Sequence, residues 1–235
     1  YFAAYLSFAI TLCGITDRPT HPVIRSTALV GMTVRQIGWA SIHRVVEKTH
    51  LYSSIIHTMS HKLTTQEMNR LSVDEFRASE KLPLTVVLDN VRSQNNIGSV
   101  FRTADAFRVG HISLCGICST PPHREIHKTA LGAEESVEWS YHEDTVECVR
   151  ALKEQGYRIY AVEIAHNSLK LGKDAIAAAG PVALILGNEI DGVLEEVMNL
   201  CDGFIEIPQQ GTKHSLNVSC AAAITIWEIS KLMRQ

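Results

Sequence analysis

Three short stretches of this chain carry side chains fit for chemistry. In the first, NNIGSVFRTADAF (residues 95–107), one arginine, Arg102, stands in an otherwise small and apolar segment. Helical spacing puts Ile97, Val100, Phe101, Ala104 and Phe107 on a core-facing stripe, with Asn96 suited to the N-cap. At about 100° per residue, Gly98, Arg102 and Ala106 share the opposite side, so small neighbours leave a permanent cation with room for an approaching group. The plainer alternative is a solvated helix charge paired with Asp105.

In the second, ALILGNEIDGV (183–193), an apolar run ends at Gly187 and leads through Asn188, Glu189, Ile190, Asp191 and Gly192 towards a helix. Two glycines five apart around a carboxylate suit a tight loop with exposed amides and an acidic group beside a ligand. This is no phosphate cradle: GxGxxG and GxxxxGK[ST] are absent, and an acidic loop repels phosphate. A strand-to-helix turn capped by Asp191 is the simpler alternative. In the third, IEIPQQGTKHSLNVSCAAAITIWEI (205–229), Pro208 stops a strand, a loop holds Gln209–His214, and Ser215 and Asn217 stand where an alanine-rich helix begins. Capping explains one such polar residue better than it explains the whole SLNVS string.

Other arrangements are weaker. Cys115-Gly-Ile-Cys118 has redox or zinc spacing, but no second pair completes a site and Cys115 falls in an expected strand. His123 and His127 are four apart without the glutamate of HExxH. His214 beside Ser215 lacks the G-x-S-x-G elbow of a hydrolase. No metal site is expected.

The elements that must position the three motifs read as an α/β domain. Leu84–Leu88, Ile112–Cys115, Tyr157–Ile164, Val182–Leu186 and Phe204–Ile207 are short aliphatic runs of strand type, and helical patterns lie between them at 96–108, about 124–134, 142–155, 191–200 and 217–233. Such alternation predicts a largely parallel sheet buried on both faces, with ligands beyond the carboxyl ends of the strands. The 235 residues, 46% of them hydrophobic, suffice for one ordinary domain with an appendage. The apolar run YFAAYLSFAITLCGI is too short to span a bilayer and has no basic residues before it. Residues 1–58 are therefore expected to be an extension of unassigned fold outside the functional domain, such as a start placed too far upstream would produce. A membrane or export segment is the alternative. The functional domain is expected at 59–235, with no membrane association. Six scattered cysteines predict reduced thiols and a cytoplasmic setting, and a formal charge of −3 leaves any polyanion contact to a local basic patch.

Taken together, the motifs resemble a known family. N-x-G-x-x-x-R-x-A (Asn96 to Ala104), G-N-E-x-x-G (Gly187 to Gly192) and I-P-x-x-G-x-x-x-S-L-N-V-S (Ile207 to Ser219) are similar to the three signature motifs of the SpoU/TrmH RNA ribose 2′-O-methyltransferases, in the SPOUT superfamily. The resemblance extends over roughly 60–235 and not over 1–58. It implies a SPOUT-type parallel sheet flanked by helices, a C-terminal deep trefoil knot whose loops bind S-adenosyl-L-methionine, and a homodimer. It further implies Arg102 as the central catalytic residue, with Asn96, Glu189, Ser215 and Asn217 organising the active site and Leu186, Gly187, Ile207 and Leu216 meeting the cofactor. Gln209, where the family usually has an apolar residue, and Ile190, where glycine is common, depart from the pattern.

The implied reaction moves a methyl group in line from a sulfonium to a ribose 2′-oxygen, so positioning and exclusion of water carry much of the rate. A guanidinium does not readily lose a proton, which favours Arg102 as a clamp on phosphate and developing alkoxide over Arg102 as a base. Arg92, Arg108, Arg124 and Lys128 make 89–128 locally basic and are candidates for tracking RNA phosphates. The substrate is expected to be structured RNA rather than DNA. A tRNA is favoured over an rRNA because no separate RNA-recognition domain is evident, and a non-catalytic RNA-binding module is the competing class.

Overall fold

The computed structural model describes residues 62–64, 66–172 and 180–234. The expected domain boundary at Met59, the apolar run at the start of the chain and Cys13 lie outside them. The chain divides into two units, Tyr1–Arg70 and Leu71–Gln235. Of the first, a short turn is described, in which the Glu67 carboxylate accepts from the Thr64 N–H and hydroxyl, both at 2.7 Å.

The second unit carries seven strands among the described residues: β1 (Leu82–Asp89), β2 (Val109–Cys115), β3 (Trp139–His142), β4 (Arg158–Val162), β5 (Leu169–Lys170), β6 (Val182–Leu186) and β7 (Gly203–Glu206). They form one sheet in the order β3-β2-β1-β6-β4-β7-β5, and every pairing is parallel. The helices are α1 (Val73–Ala78), α2 (Gln94–Phe107), α3 (Arg124–Ala130), α4 (Ala133–Ser136), α5 (Thr145–Glu154), α6 (Glu195–Met198) and α7 (Val218–Met233).

Strand alternation divides the core in two. Leu84, Val86 and Leu88 of β1 face a cluster with Ile97, Val100 and Phe101 of α2 and Ala222, Ile226 and Ile229 of α7. Val87 faces the other way, towards Val149 and Leu152 of α5 and Val197 of α6. The expected strands and the parallel sheet are present. The two strands not anticipated, β3 and β5, are short edge strands whose side chains are mostly half-buried or exposed, so their sequences lack an aliphatic run.

Several boundaries differ from expectation for local reasons. Helix α2 begins two residues before Asn96, because the Ser93 hydroxyl accepts from the Asn96 N–H (3.3 Å) and serves as the cap. The pattern at 124–134 is broken into α3 and α4 by Leu131 and Gly132, both at positive φ (55° and 92°). The pattern at 191–200 shrinks to α6, since the preceding loop closes on itself through Asn188 and Gly192. Gly98 does not open space beside Arg102. It is buried, and an added Cβ would collide with Thr129 Oγ1 and the Ile126 carbonyl, so it is the contact that lets α2 and α3 approach.

Candidate active site

Parallel pairing aligns the carboxyl ends of β4, β6 and β7, and the chain leaving each end builds one wall of a cavity of about 770 Å³. Val162 ends β4 and Glu163 follows it, Leu186 ends β6 and Gly187 to Gly192 follow it, and Ile205 within β7 is joined by Ile207 and Gln209 beyond its end, with His214 to Val218 closing the rim. Gly187 is essential to this packing: a Cβ there would overlap the backbone of Gly192 and Val193. The Asn188 side chain shapes the loop, its Oδ1 accepting from the N–H groups of Ile190 and Asp191 (both 2.8 Å). Asp191 therefore does not cap a helix. Leu194 occupies the N-cap position of α6 and supplies no side-chain cap, while its N–H donates to Asp89 Oδ2 (3.0 Å).

Side chains from the three motifs meet in a hydrogen-bonded chain. Asn96 Nδ2 donates to Glu189 Oε1 (2.8 Å), and Asn217 Nδ2 donates to Asn96 Oδ1 (3.1 Å). Asn217 Oδ1 in turn caps α7 by accepting from the Ser219 N–H and hydroxyl (2.9 and 2.7 Å). Freed from capping by Ser93, Asn96 can bridge residues 93 positions and 121 positions away. Glu189 also receives the N–H groups of Arg92 (3.3 Å) and Ser93 (3.4 Å). Partial burial by itself raises the Glu189 pKa. The bonds from Asn96 and from the N–H groups of Glu189, Arg92 and Ser93 outweigh it and hold the carboxyl below its ordinary value.

Leu186, Gly187, Ile207 and Leu216 all line the cavity, as do Glu189, Ser215 and Asn217. Arg102 does not. Six residues after Asn96, it is displaced by about 9 Å along α2 and by about a third of a turn around it. Its exposed guanidinium has no hydrogen bond or ion pair among the described residues, and it borders two other depressions, one with Ser99, Thr103 and Lys128, the other with Asp105 and Ser136. The alternative pairing with Asp105 is not made: Asp105 Oδ1 accepts from the Ser136 hydroxyl (2.6 Å). Within one chain, then, the expected convergence of Arg102 with the other two motifs is not found, although Asn96 of the same motif converges fully.

The basic candidates also separate. Lys128 shares a depression with Arg102, and Arg124 is almost wholly exposed one turn earlier on the same helix. Arg92 stands beside the site, its N–H bound to Glu189. Arg108, however, ends α2 at the opposite end from Asn96, and its carbonyl accepts from the N–H of Leu82 at the start of β1 (2.8 Å). It is removed from the site.

Of the signals set aside, His214 stands at the cavity rim and the others are occupied elsewhere. His123 Nδ1 accepts from the Glu125 N–H, His127 Nδ1 bonds Glu134, and Cys118 is buried, its thiol pushed up to about 11. No group of three or more metal-ligating side chains occurs among the described residues. Two functional-looking carboxylates were missed. Asp89 accepts from Thr145 Oγ1 (2.6 Å), Asn90 Nδ2 (2.9 Å) and the Leu194 N–H, tying the β6 loop to β1. Glu163 lies in the cavity wall. In both cases an acid at the end of an aliphatic run was the available signal. With Glu163, Glu189 and Asp191 on its walls and no lysine or arginine among its described lining residues, the cavity suits a cationic ligand with apolar parts and disfavours a phosphate.

Comparison with known proteins agrees with this geometry. Residues 83–227 match the model of the SpoU rRNA Methylase family. A 23S rRNA (guanosine-2′-O-)-methyltransferase, RlmB, of Vibrio parahaemolyticus is 29% identical over 224 residues, covering 94% of this chain and 86% of the relative. That span enters residues 1–58, further than the motif resemblance alone extends. A tRNA (guanosine(18)-2′-O)-methyltransferase of Thermus thermophilus is 33% identical over 165 residues, 70% of this chain and 83% of the relative. A solved AdoMet-bound rRNA methyltransferase from Sinorhizobium meliloti superposes with a TM-score of 0.60 at 28% identity; the match covers 66% of this chain and 59% of that one, less than two thirds of its length.

Proposed function

This chain belongs to the SpoU rRNA methylase family, and on that premise we propose that it transfers the methyl group of S-adenosyl-L-methionine to a ribose 2′-hydroxyl of structured RNA. The observation that carries this reading is the Glu189–Asn96–Asn217 chain, which ties all three motifs to the rim of one acidic, apolar-walled cavity. The cavity fits the cofactor: Leu186, Ile207 and Leu216 offer apolar surface, the loop around Gly187 offers main-chain groups, and the carboxylates suit a sulfonium. When bound, the cofactor supplies an activated methyl group. The chain's own residues then have to fix the acceptor oxygen and accommodate the charge that develops as its proton leaves. Asn96, Glu189, Ser215 and Asn217 hold the nucleotide and the loops in register. Arg102 grips a substrate phosphate and stabilises the alkoxide through its planar fork, a role supported by its exposed guanidinium, which has no partner among the described residues.

Arg102 reaches the reaction in a homodimer, delivered by one protomer to the cavity of its partner. Ile224 (41% exposed) and Trp227 (48%) on α7 form an uncovered apolar strip beside Arg102's helix, with Trp227 resting on Phe107 at 5.4 Å between ring centres. Insertion of β6 between β1 and β4, and of β7 between β4 and β5, is the strand order that a threaded, knotted C-terminal segment requires. The working substrate is a cytoplasmic RNA. The two guanosine-specific relatives make guanosine the base to expect, and tRNA is the first class to test against 23S rRNA.

Calorimetry with S-adenosylmethionine, followed by tritiated methyl transfer to tRNA and 23S rRNA, tests the reading. The expected result is binding followed by label at a 2′-O-methylguanosine. Binding without transfer to any cellular RNA would favour the non-catalytic module.

A further inference from the structure

We propose that Glu163 makes the cavity discriminate the charged methyl donor from its neutral demethylated product; this rests on the reading above that the cavity holds S-adenosylmethionine. Glu163 follows the last residue of β4, where a side chain points at whatever lies beyond the carboxyl end of the sheet. Its carboxylate is held by main-chain groups alone. The Ile164 N–H donates to Oε1 (3.0 Å) and the Val193 N–H to Oε2 (3.4 Å). Gly192, at φ +71°, lies so close to Oε2 that a Cβ would collide with it. The anion is therefore fixed in the wall by both the β4 and the β6 loops, with lone pairs left over on each oxygen.

Among the described residues no lysine or arginine pairs with Glu163 or lines the cavity. Asp191 and Glu189 add charge of the same sign, although Asp191 is exposed and Glu189 is committed to Asn96. A half-buried anion without a countercharge favours the ligand that brings one. Donor and product share the adenosine and amino-acid moieties and differ by one methyl group and one positive charge on sulfur. A carboxylate that read the shared groups would hold both equally, whereas one that reads the sulfonium holds the donor and lets the product go. The product is thereby expelled by the loss of charge that the reaction itself causes.

Glu163→Gln keeps the shape and one acceptor oxygen but removes the charge. Calorimetric titration with S-adenosylmethionine and with S-adenosylhomocysteine is expected to show donor affinity falling about five- to tenfold and product affinity by less than about twofold. Glu163→Asp, which keeps the charge, is expected to retain most of the preference. In the unaltered protein, raising the ionic strength should narrow the donor-to-product affinity ratio, a measurement that stands even if the variant folds poorly. An equal loss for both ligands, no loss for either, or a ratio indifferent to salt overturns the proposal while leaving the methyltransferase reading intact. Failure of the unaltered protein to bind either ligand overturns both.

Discussion

At the scale of single residues, the motif side chains divide into groups held tightly and one group that has no partner among the described residues. Asn96, Glu189 and Asn217 restrain one another through bonds of 2.8 and 3.1 Å, whereas Arg102 makes no hydrogen bond or ion pair among the described residues. That division suits organisers on one hand and a clamp that closes on substrate on the other. Arg102→Lys keeps the charge and loses the bidentate fork, so turnover should drop by about 10² or more while S-adenosylmethionine binding is unchanged, as single-turnover kinetics and calorimetry would show. Full turnover in that variant would remove the clamp role. Glu189 gives a pH signature. Its folded pKa lies below the unfolded one, so its carboxylate stabilises the folded chain at neutral pH, and that contribution disappears as pH falls from the ordinary glutamate value, about 4.3, through the lower folded value. Melting temperature followed from about pH 6 to pH 3 should fall less steeply in Glu189→Gln than in the unaltered chain.

At the scale of elements, the β6 loop is the piece on which the cavity depends. It is pinned at one side by Asp89 through Leu194, at the other by Glu163 through Val193, and internally by Asn188. Backbone meets backbone at Gly187, where no flexible side chain can yield. Gly187→Ala should therefore push the loop out of place, abolishing measurable S-adenosylmethionine binding and costing about 1–3 kcal/mol of stability, readable by calorimetry and by urea unfolding. The motif glycine was legible as a loop residue; what it avoids was not, because Gly192 and Val193 approach it only once the loop has closed. Asn96 shows the same effect. Its type suggested a helix cap, but the hydroxyl of Ser93 took that role and left the amide for contacts that local spacing cannot reveal.

At the scale of the whole molecule, a single chain brings Asn96 to the cavity and leaves Arg102 outside it, which is the observation behind the proposed delivery of Arg102 from a partner chain. If Arg102 serves a partner's cavity, equimolar mixing of Arg102→Lys chains with Asn217→Ala chains, each inactive alone, should restore about a quarter of the unaltered activity, since half of the molecules are then mixed dimers with one intact site of two. No recovery after subunit exchange has been verified by sedimentation would rule out delivery in trans.

By itself, the sequence determined the alternation of strands and helices, the parallel sheet and the family, because aliphatic runs, helical periodicity and three spaced motifs are local properties. Through the family resemblance it also pointed to Leu186, Gly187, Ile207 and Leu216 of the cavity lining, while Glu163, which carries no motif, went unnoticed. The tertiary structure decided which of those residues touch. Strands β6 and β7 insert between strands laid down earlier, and this non-local pairing joins Asn96 to Glu189 and Asn217, brings Glu163 against Gly192, and turns Arg102 and Arg108 away. The physical reason is that sheet order and helix packing are set by burial summed over distant segments, which no window along the chain contains.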